Sequence, residues 1–285
     1  MHKARSPPSA RRGPAVTLPL QCRIVRLTVL ASGSGGNAML IEAGSTRLLV
    51  DAGLPLATLQ RQLTRAQLSV KPNALIVTHA HGDHCRHAAE LSEHFQAPLY
   101  VSEATRRSVR LGGRRTPRVF GPRAPFSIGD IAVTALTVPH DAPQVSLRFE
   151  HGGEAAAIAT DLGEVPPGLL DHLAGCDTVL IESNHDHEML WSGPYPYHLK
   201  RRVSGGHGHL SNAQTHGLLR SLDRAVRTVV LMHLSQTNNT PELARASAAE
   251  ALCDHPATLL VSSQFGVTSL GAEPVGPPQL ELFPR

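Results

Sequence analysis

No stretch of this sequence approaches the ~18 consecutive apolar residues of a membrane-spanning helix, so no membrane association is expected. Its four cysteines, Cys22, Cys85, Cys176 and Cys253, are widely scattered and form no C-x-x-C pair. That excludes a zinc ribbon and a disulfide framework, and makes the reducing cytoplasm the expected setting. The basic segment from Met1 to Pro14 lacks the apolar core of an export signal, so residues 1–20 read as a disordered basic tail. No repeat of fixed period and no Pro/Gly/Ser-rich linker divides the middle of the chain. One domain over residues 21–270 is therefore expected, followed by a Pro-rich tail over 271–285. The net charge of +4 sits largely in the N-terminal tail and is weak evidence for nucleic acid. What is present is ample apolar material, 41% of 285 residues, enough to bury a sizeable core.

The densest chemistry lies at His79-Ala80-His81-Gly82-Asp83-His84. It follows Leu75-Ile76-Val77-Thr78, a short apolar and β-branched run that reads as a buried strand. Alternate residues of an extended chain point the same way, so His79 and His81 can offer two imidazoles to one point. Gly82 permits a sharp turn, and near-helical spacing from His84 to Phe95 puts Asp83 and His84 where a helix begins. Four metal-competent side chains thus sit on one strand-to-helix turn.

Around this turn, Arg23–Leu30, Ala38–Glu42, Arg47–Asp51, Pro98–Ser102, Ile131–Val138, Val145–Glu150, Ala155–Thr160, Thr178–Ile181, Val226–Met232 and Thr258–Ser262 read as strands. Helices are expected at Leu56–Leu68, Glu103–Arg110, Leu169–Leu173, Asn212–Leu222 and Pro241–Cys253, with an irregular stretch over 184–210. Strands come first in hairpin-like pairs and then alternate with helices, an order that suits two sheets with outer helices. Three further metal-competent residues follow strands: His140, Asp161 and His233. Such loops at a sheet edge are where binding groups gather. Ser32-Gly33-Ser34-Gly35-Gly36-Asn37 is a glycine-rich loop that either makes a tight turn or offers backbone amides to an anion. Arg106, Arg107, Arg110, Arg114, Arg115, Arg118 and Arg123 crowd one region without aromatic interleaving. They form either a solvated face or a phosphate-tracking patch.

The H-x-H-x-D-H turn, followed in order by a His, an Asp and a His at strand ends, resembles the metallo-β-lactamase superfamily from about Arg23 to Val267. The resemblance implies an α/β (α+β) fold, a four-layer αββα sandwich, with a two-metal site at one sheet edge. Carried over, His79, His81 and His140 would hold one ion, Asp83, His84 and His233 the second, and Asp161 would bridge them. Within the superfamily the chain is most similar to the YycJ/WalJ group, described as DNA exonucleases or cell-wall-signalling modulators. Ala31–Asn37, Glu182-Ser183-Asn184-His185-Asp186, Gly193-Pro194-Tyr195-Pro196, Gly208–Asn212 and His233–Pro241 carry that similarity. Glu182 with Gly208-His209 also resembles ribonuclease Z, where such a pair supports proton donation. The long exosite arm of ribonuclease Z and the inserted domain of β-CASP nucleases are not evident in this chain.

Imidazole and carboxylate ligands suit two divalent ions, zinc or manganese, with iron also compatible. Such a pair clamps the oxygens of an in-line displacement. The leading expectation is therefore a phosphodiesterase on nucleic acid, DNA before RNA, acting as a 5′-to-3′ exonuclease by family resemblance. Asp83, His209 and Glu182 are the catalytic candidates, with His209 the acid and Glu182 its orienter. Ser211, Asn212, Lys200 and Arg201, with Arg202 beside them, are candidates for substrate contact. A small-molecule thioester or lactone hydrolase and a metal-bearing regulator of cell-wall signalling are the alternatives. A complete ligand set argues against the regulator, and the lack of a substrate-binding extension argues against a glyoxalase-type thioesterase.

Overall fold

The structure, a computed structural model, describes residues 25–109, 111, 113–114 and 116–270. The expected tails at 1–20 and 271–285 lie outside the described residues, as do Cys22, Arg110 and Arg115.

The first strands form an antiparallel meander that then turns parallel. β1 (Arg26–Ala31), β2 (Ala38–Ala43), β3 (Thr46–Val50), β4 (Ala74–Val77), β5 (Leu99–Ser102), β6 (Arg118–Phe120) and the late β14 (Thr268–Leu270) make one sheet, in the order β14-β1-β2-β3-β4-β5-β6. β7 (Phe126–Ile128), β8 (Ile131–Val138), β9 (Gln144–His151), β10 (Glu154–Ala159), β11 (Thr178–Glu182), β12 (Thr228–Met232) and β13 (Thr258–Val261) make the second, in sequential order. In each sheet the early pairs are antiparallel and the later ones parallel. The C-terminal ends of β1, β3 and β4, and those of β8, β10, β11 and β12, consequently point to a common edge within their sheets.

β4 shows why its run is apolar throughout. Ala74 and Ile76 pack between the sheets with Val133, Leu147, Ile158 and Val230. Leu75 and Val77 face outward onto Leu59, Leu63, Leu91 and Phe95 of α1 (Leu56–Arg65) and α3 (Ala88–Phe95). Both faces of the strand are therefore buried, the usual state of a parallel strand covered by helices. The second sheet is covered the same way by α5 (Leu169–Leu173), α8 (Asn212–Leu219) and α9 (Pro241–Ala251). The layers are helix, sheet, sheet, helix, as the resemblance implies.

The sequence and the structure differ in three places. The helix expected over His84–Phe95 is broken into α2 (Gly82–Cys85) and α3, because the His87 amide leaves the helix to donate to Ala52 O at 2.9 Å. The stretch over 184–210 is not irregular throughout. It holds α6 (His187–Ser192), capped by the Asp186 carboxylate, and α7 (Tyr197–Val203), started after Pro196. Helices this short show no usable periodicity, and only their caps mark them. The three-residue strands β6, β7 and β14 likewise carry too little alternation to be read. The remaining short helix is α4 (Glu103–Ser108).

Candidate metal centre

Strand ends bring the polar residues together. Asp51 follows β3, His79 lies one residue past Thr78 after β4, His140 follows β8, Asp161 follows β10, and His233 follows β12. Asp51, Asp161 and His233 all take left-handed backbone angles, with φ of 62°, 59° and 54°. Asp and His tolerate this region better than most residues, and its occupation by three neighbours is a mark of a functional site. Close approach of backbone fixes the turn carrying Asp83 and His84. Asn37 N donates to Asp83 O, and Ala52 N to His84 O, at 2.8 and 2.7 Å. A Cβ on Gly53 would lie only 1.8 Å from Asp83 O, so no other residue fits there.

His79, His81 and His140 converge through one nitrogen each. His81 Nδ1 stands 3.1 Å from His79 Nε2 and 3.2 Å from His140 Nε2. Two nitrogens bound tetrahedrally to one ion at ~2.0–2.1 Å would stand about 3.3–3.4 Å apart, so the spacing suits a shared ion. The outward nitrogens are each engaged. His79 Nδ1 lies 3.1 Å from Thr78 Oγ1, His140 Nδ1 donates to Gly208 O at 3.0 Å, and His81 Nε2 lies 3.1 Å from Asp141 Oδ1. Partners of this kind orient ligating imidazoles.

A second cluster adjoins the first. His84 Nε2 lies 3.6 Å from Asp83 Oδ2 and 3.2 Å from Asp161 Oδ2, and His233 Nε2 lies 3.5 Å from Asp83 Oδ2 and from Asp161 Oδ1. His84 Nδ1 donates to Asp51 Oδ2 at 2.7 Å, and Thr78 N and Oγ1 donate to the same carboxylate. Asn37 Nδ2 sits 2.9 Å from His84 Nε2, and Asn184 Nδ2 donates to His233 O. The seven residues singled out from the sequence thus stand together, Asp161 between the two groups.

The electrostatics call for a cation. Burial opposes ionisation of Asp161, but the imidazoles of His233 and His84 outweigh it and hold the carboxyl well below its usual range. Burial likewise opposes charge on His84 and His233, yet Asp161 foremost overrides it, raising His84 and pushing His233 up to about 10. Burial pushes His79 and His140 down, leaving them neutral and able to ligate. Asp161 Oδ2 is buried without a hydrogen bond of good geometry. A buried carboxylate oxygen in that state and two inward sets of ligand nitrogens fit divalent ions.

Glu182, at the end of β11, is fully buried beside this cluster. Its Oε1 accepts from His209 Nδ1 at 2.7 Å, and its Oε2 accepts from Leu162 N and Leu210 N. Burial lowers the pKa of His209, but Glu182 outweighs it and the net shift is upward. The His209 ring stacks on His233 at 5.3 Å between centroids and meets His140 edge-on. A Cβ on Gly208 would lie 2.2 Å from Arg202 O, so this glycine lets the loop fold back and deliver His209.

The other candidates are placed differently. Ser211 caps α8 in a reciprocal capping box with Gln214. Asn212 is buried and bonded to Ser183 and Asn239. Lys200 Nζ donates to Trp191 O, Arg201 is exposed, and Arg202 pairs with Asp141 behind His81. The glycine-rich loop spends its amides internally: Gly33 N on Asn37 Oδ1, Gly35 N on Gln264 Oε1 and Gly36 N on Gly33 O. It is a turn that carries Asn37 to His84, and these amides are not free for an anion. In the arginine-rich region, Arg106 and Arg107 share Glu103, and Arg118 bonds and covers Tyr100. The sequence reading passed over Asp51, Thr78 and Asp141. Asp51 could have been found by the same signal as His233, an ionisable residue directly after a strand.

Together, a four-layer sandwich and a His/Asp cluster at one sheet edge define a metallo-β-lactamase fold. The family model described as Beta-lactamase superfamily domain matches residues 46–234, and the chain belongs to that superfamily of metal-dependent hydrolases. Within it, the chain is 32% identical over 235 residues to the exodeoxyribonuclease YycJ of Bacillus anthracis, covering 80% of this chain and 89% of that protein. It is 34% identical over 239 residues to the exodeoxyribonuclease WalJ of Streptococcus pneumoniae, covering 80% and 88%. In fold it resembles the crystal structure of YhfI from Bacillus subtilis, with a TM-score of 0.68 at 17% identity, over 86% of this chain and 99% of that one. Among the described residues no helix is long and apolar enough to cross a membrane.

Proposed function

We propose that the protein is a phosphodiesterase acting on nucleic acid, an exodeoxyribonuclease of 5′-to-3′ polarity, working in the reducing cytoplasm. The observation that carries this reading is His209, held through Nδ1 by buried Glu182 and stacked against the metal cluster. The two relatives named exodeoxyribonucleases support DNA as the substrate. Two zinc or manganese ions, bound by His79, His81 and His140 and by Asp83, His84 and His233 with Asp161 between, would supply Lewis acidity and a nucleophile at neutral pH.

The chain's own residues do the rest. Glu182 raises the affinity of His209 for a proton and fixes the ring, so that Nε2 is the nitrogen left to protonate a departing sugar oxygen. Asp83 and Asp161 stay ionised beside His84 and His233, supplying the negative charge that a metal ion would neutralise in place of imidazole protons. Ser211 and Asn212 act on substrate only through the loop they anchor, and the exposed Arg201 offers its charge to a flanking phosphate.

The test is metal-loaded protein with end-labelled single- and double-stranded DNA and RNA, beside His209→Ala. Stepwise shortening from the 5′ end of DNA is expected. A sugar alkoxide gains from protonation, typically about 10²–10⁴-fold in rate, whereas p-nitrophenolate needs little help. The variant should lose far more activity on DNA than on a p-nitrophenyl phosphodiester. Equal losses on both would reassign His209 to positioning, and activity confined to thioesters or lactones would overturn the reading.

A further inference from the structure

A cavity of about 600 Å³ is lined in part by the Ser32–Asn37 loop, whose end residues also contact the His/Asp cluster. Its walls include Ser34 and Gly35 of that loop, Arg61 and Arg65 of α1, Gln264 and Phe265. Phe265 is 74% exposed, in the turn that carries the chain from β13 of one sheet to β14 of the other. A phenyl ring this exposed contributes little to the core, and its face is free to stack.

The arginines are available to an anion. Arg61 reaches Thr58 Oγ1 alone among the described residues, and Arg65 reaches Gln62 Oε1 and Phe265 O. Among the described residues neither pairs with a carboxylate, and no acidic side chain lines the cavity. The wall is also tied directly to the metal centre. Ser32 Oγ accepts from His233 N at 2.8 Å, Asn37 Nδ2 stands 2.9 Å from His84 Nε2, and Gln264 clamps the loop between them through Gly35 N and Gly36 O. The loop therefore touches the cluster through Ser32 and Asn37 and lines the cavity through Ser34 and Gly35.

We propose that this cavity holds a nucleotide of single-stranded DNA flanking the scissile bond, its base stacked on Phe265 and its phosphates against Arg61 and Arg65. The inference rests on the nucleic-acid reading of the metal centre and extends it to a defined subsite. Stacking on an aromatic face tolerates any base, so the subsite would grip the strand without reading its sequence.

The experiment measures binding of a fluorescein-labelled phosphorothioate oligothymidine to metal-loaded protein by anisotropy, across a salt series. Phe265→Ala should weaken binding about 5- to 150-fold, and Phe265→Trp should restore it. An abasic position that weakens wild-type binding should cost the Phe265→Ala variant nothing further. Replacing Arg61 and Arg65 by Gln should flatten the salt slope by about 0.7 per lost phosphate contact. All variants should hydrolyse a p-nitrophenyl phosphodiester at the wild-type rate, since that substrate is too small to reach the cavity. Binding and salt slope unchanged in both variants would overturn the subsite, even where DNA is degraded. Wild-type protein that binds the oligonucleotide through Phe265 but degrades no DNA would uphold the subsite and sink only the nuclease reading.

Discussion

Replacing Asp51 by Asn removes one charge and no volume, yet the structure leaves the new amide without an acceptable orientation. Asp51 Oδ1 accepts from Thr78 N at 2.9 Å, and Oδ2 accepts from His84 Nδ1 at 2.7 Å. With its NH₂ towards His84, the introduced amide would need a bare Nδ1, which moves the ring proton to Nε2, the nitrogen facing Asp83 and Asp161. That tautomer cannot ligate a metal. With the amide turned over, NH₂ meets the Thr78 N–H in a site closed to solvent. A buried unsatisfied donor costs about 1–3 kcal/mol, equivalent to about 5- to 150-fold. Loss of the group behind a ligating His typically costs about 10–100-fold in metal affinity. The two figures agree. The Asp51→Asn protein should therefore release one of its two ions at about 10–100-fold lower chelator, measured by elemental analysis after graded dialysis, while the ion at His79, His81 and His140 is retained. Wild-type resistance to chelator in this variant would refute the argument that Asp51 sets the His84 tautomer.

Further outcomes are expected. Protein purified without chelator should carry close to two divalent ions per chain, and Asp161→Ala should lower both the stoichiometry and the activity; undiminished values would refute a bridging role for Asp161. Gly53→Ala should displace the Asp83 turn, with stability lowered by about 2 kcal/mol or more in denaturant titration, because its Cβ would collide with Asp83 O. His172 is pushed down to about 4 by burial foremost, with Arg148 adding to it. Its folded pKa lies below the unfolded ~6.5, so between these values only the unfolded chain takes up the proton. Stability from this group is present above pH ~6.5 and lost as pH falls towards 4, on the order of 3 kcal/mol at most. His172→Gln should flatten that part of the pH–stability curve, and an unaltered slope would count against it.

The sequence by itself determined the types of the candidate ligands and their order along the chain. Three histidines and an aspartate on one turn leave few other uses, and His140, Asp161 and His233 repeat the pattern of an ionisable residue just past an apolar strand. Strand identity was legible wherever burial on one or both faces imposed a pattern, as in β4 and β8. Short pieces were not legible, because β6, β7, β14, α6 and α7 hold too few residues for a period to register. Tertiary structure alone decided which nitrogen of each imidazole faces inward, since Thr78, Asp141, Gly208 and Asp51 claim the other one from distant or unremarked positions. It also decided that Asn212 is an internal anchor and that the glycine-rich loop has no free amide at Gly33, Gly35 or Gly36. Phe265 took on meaning only there. In sequence it is one apolar residue after a strand, and only the folding of α1 and the Ser32–Asn37 loop around it makes it the exposed wall of a cationic cavity.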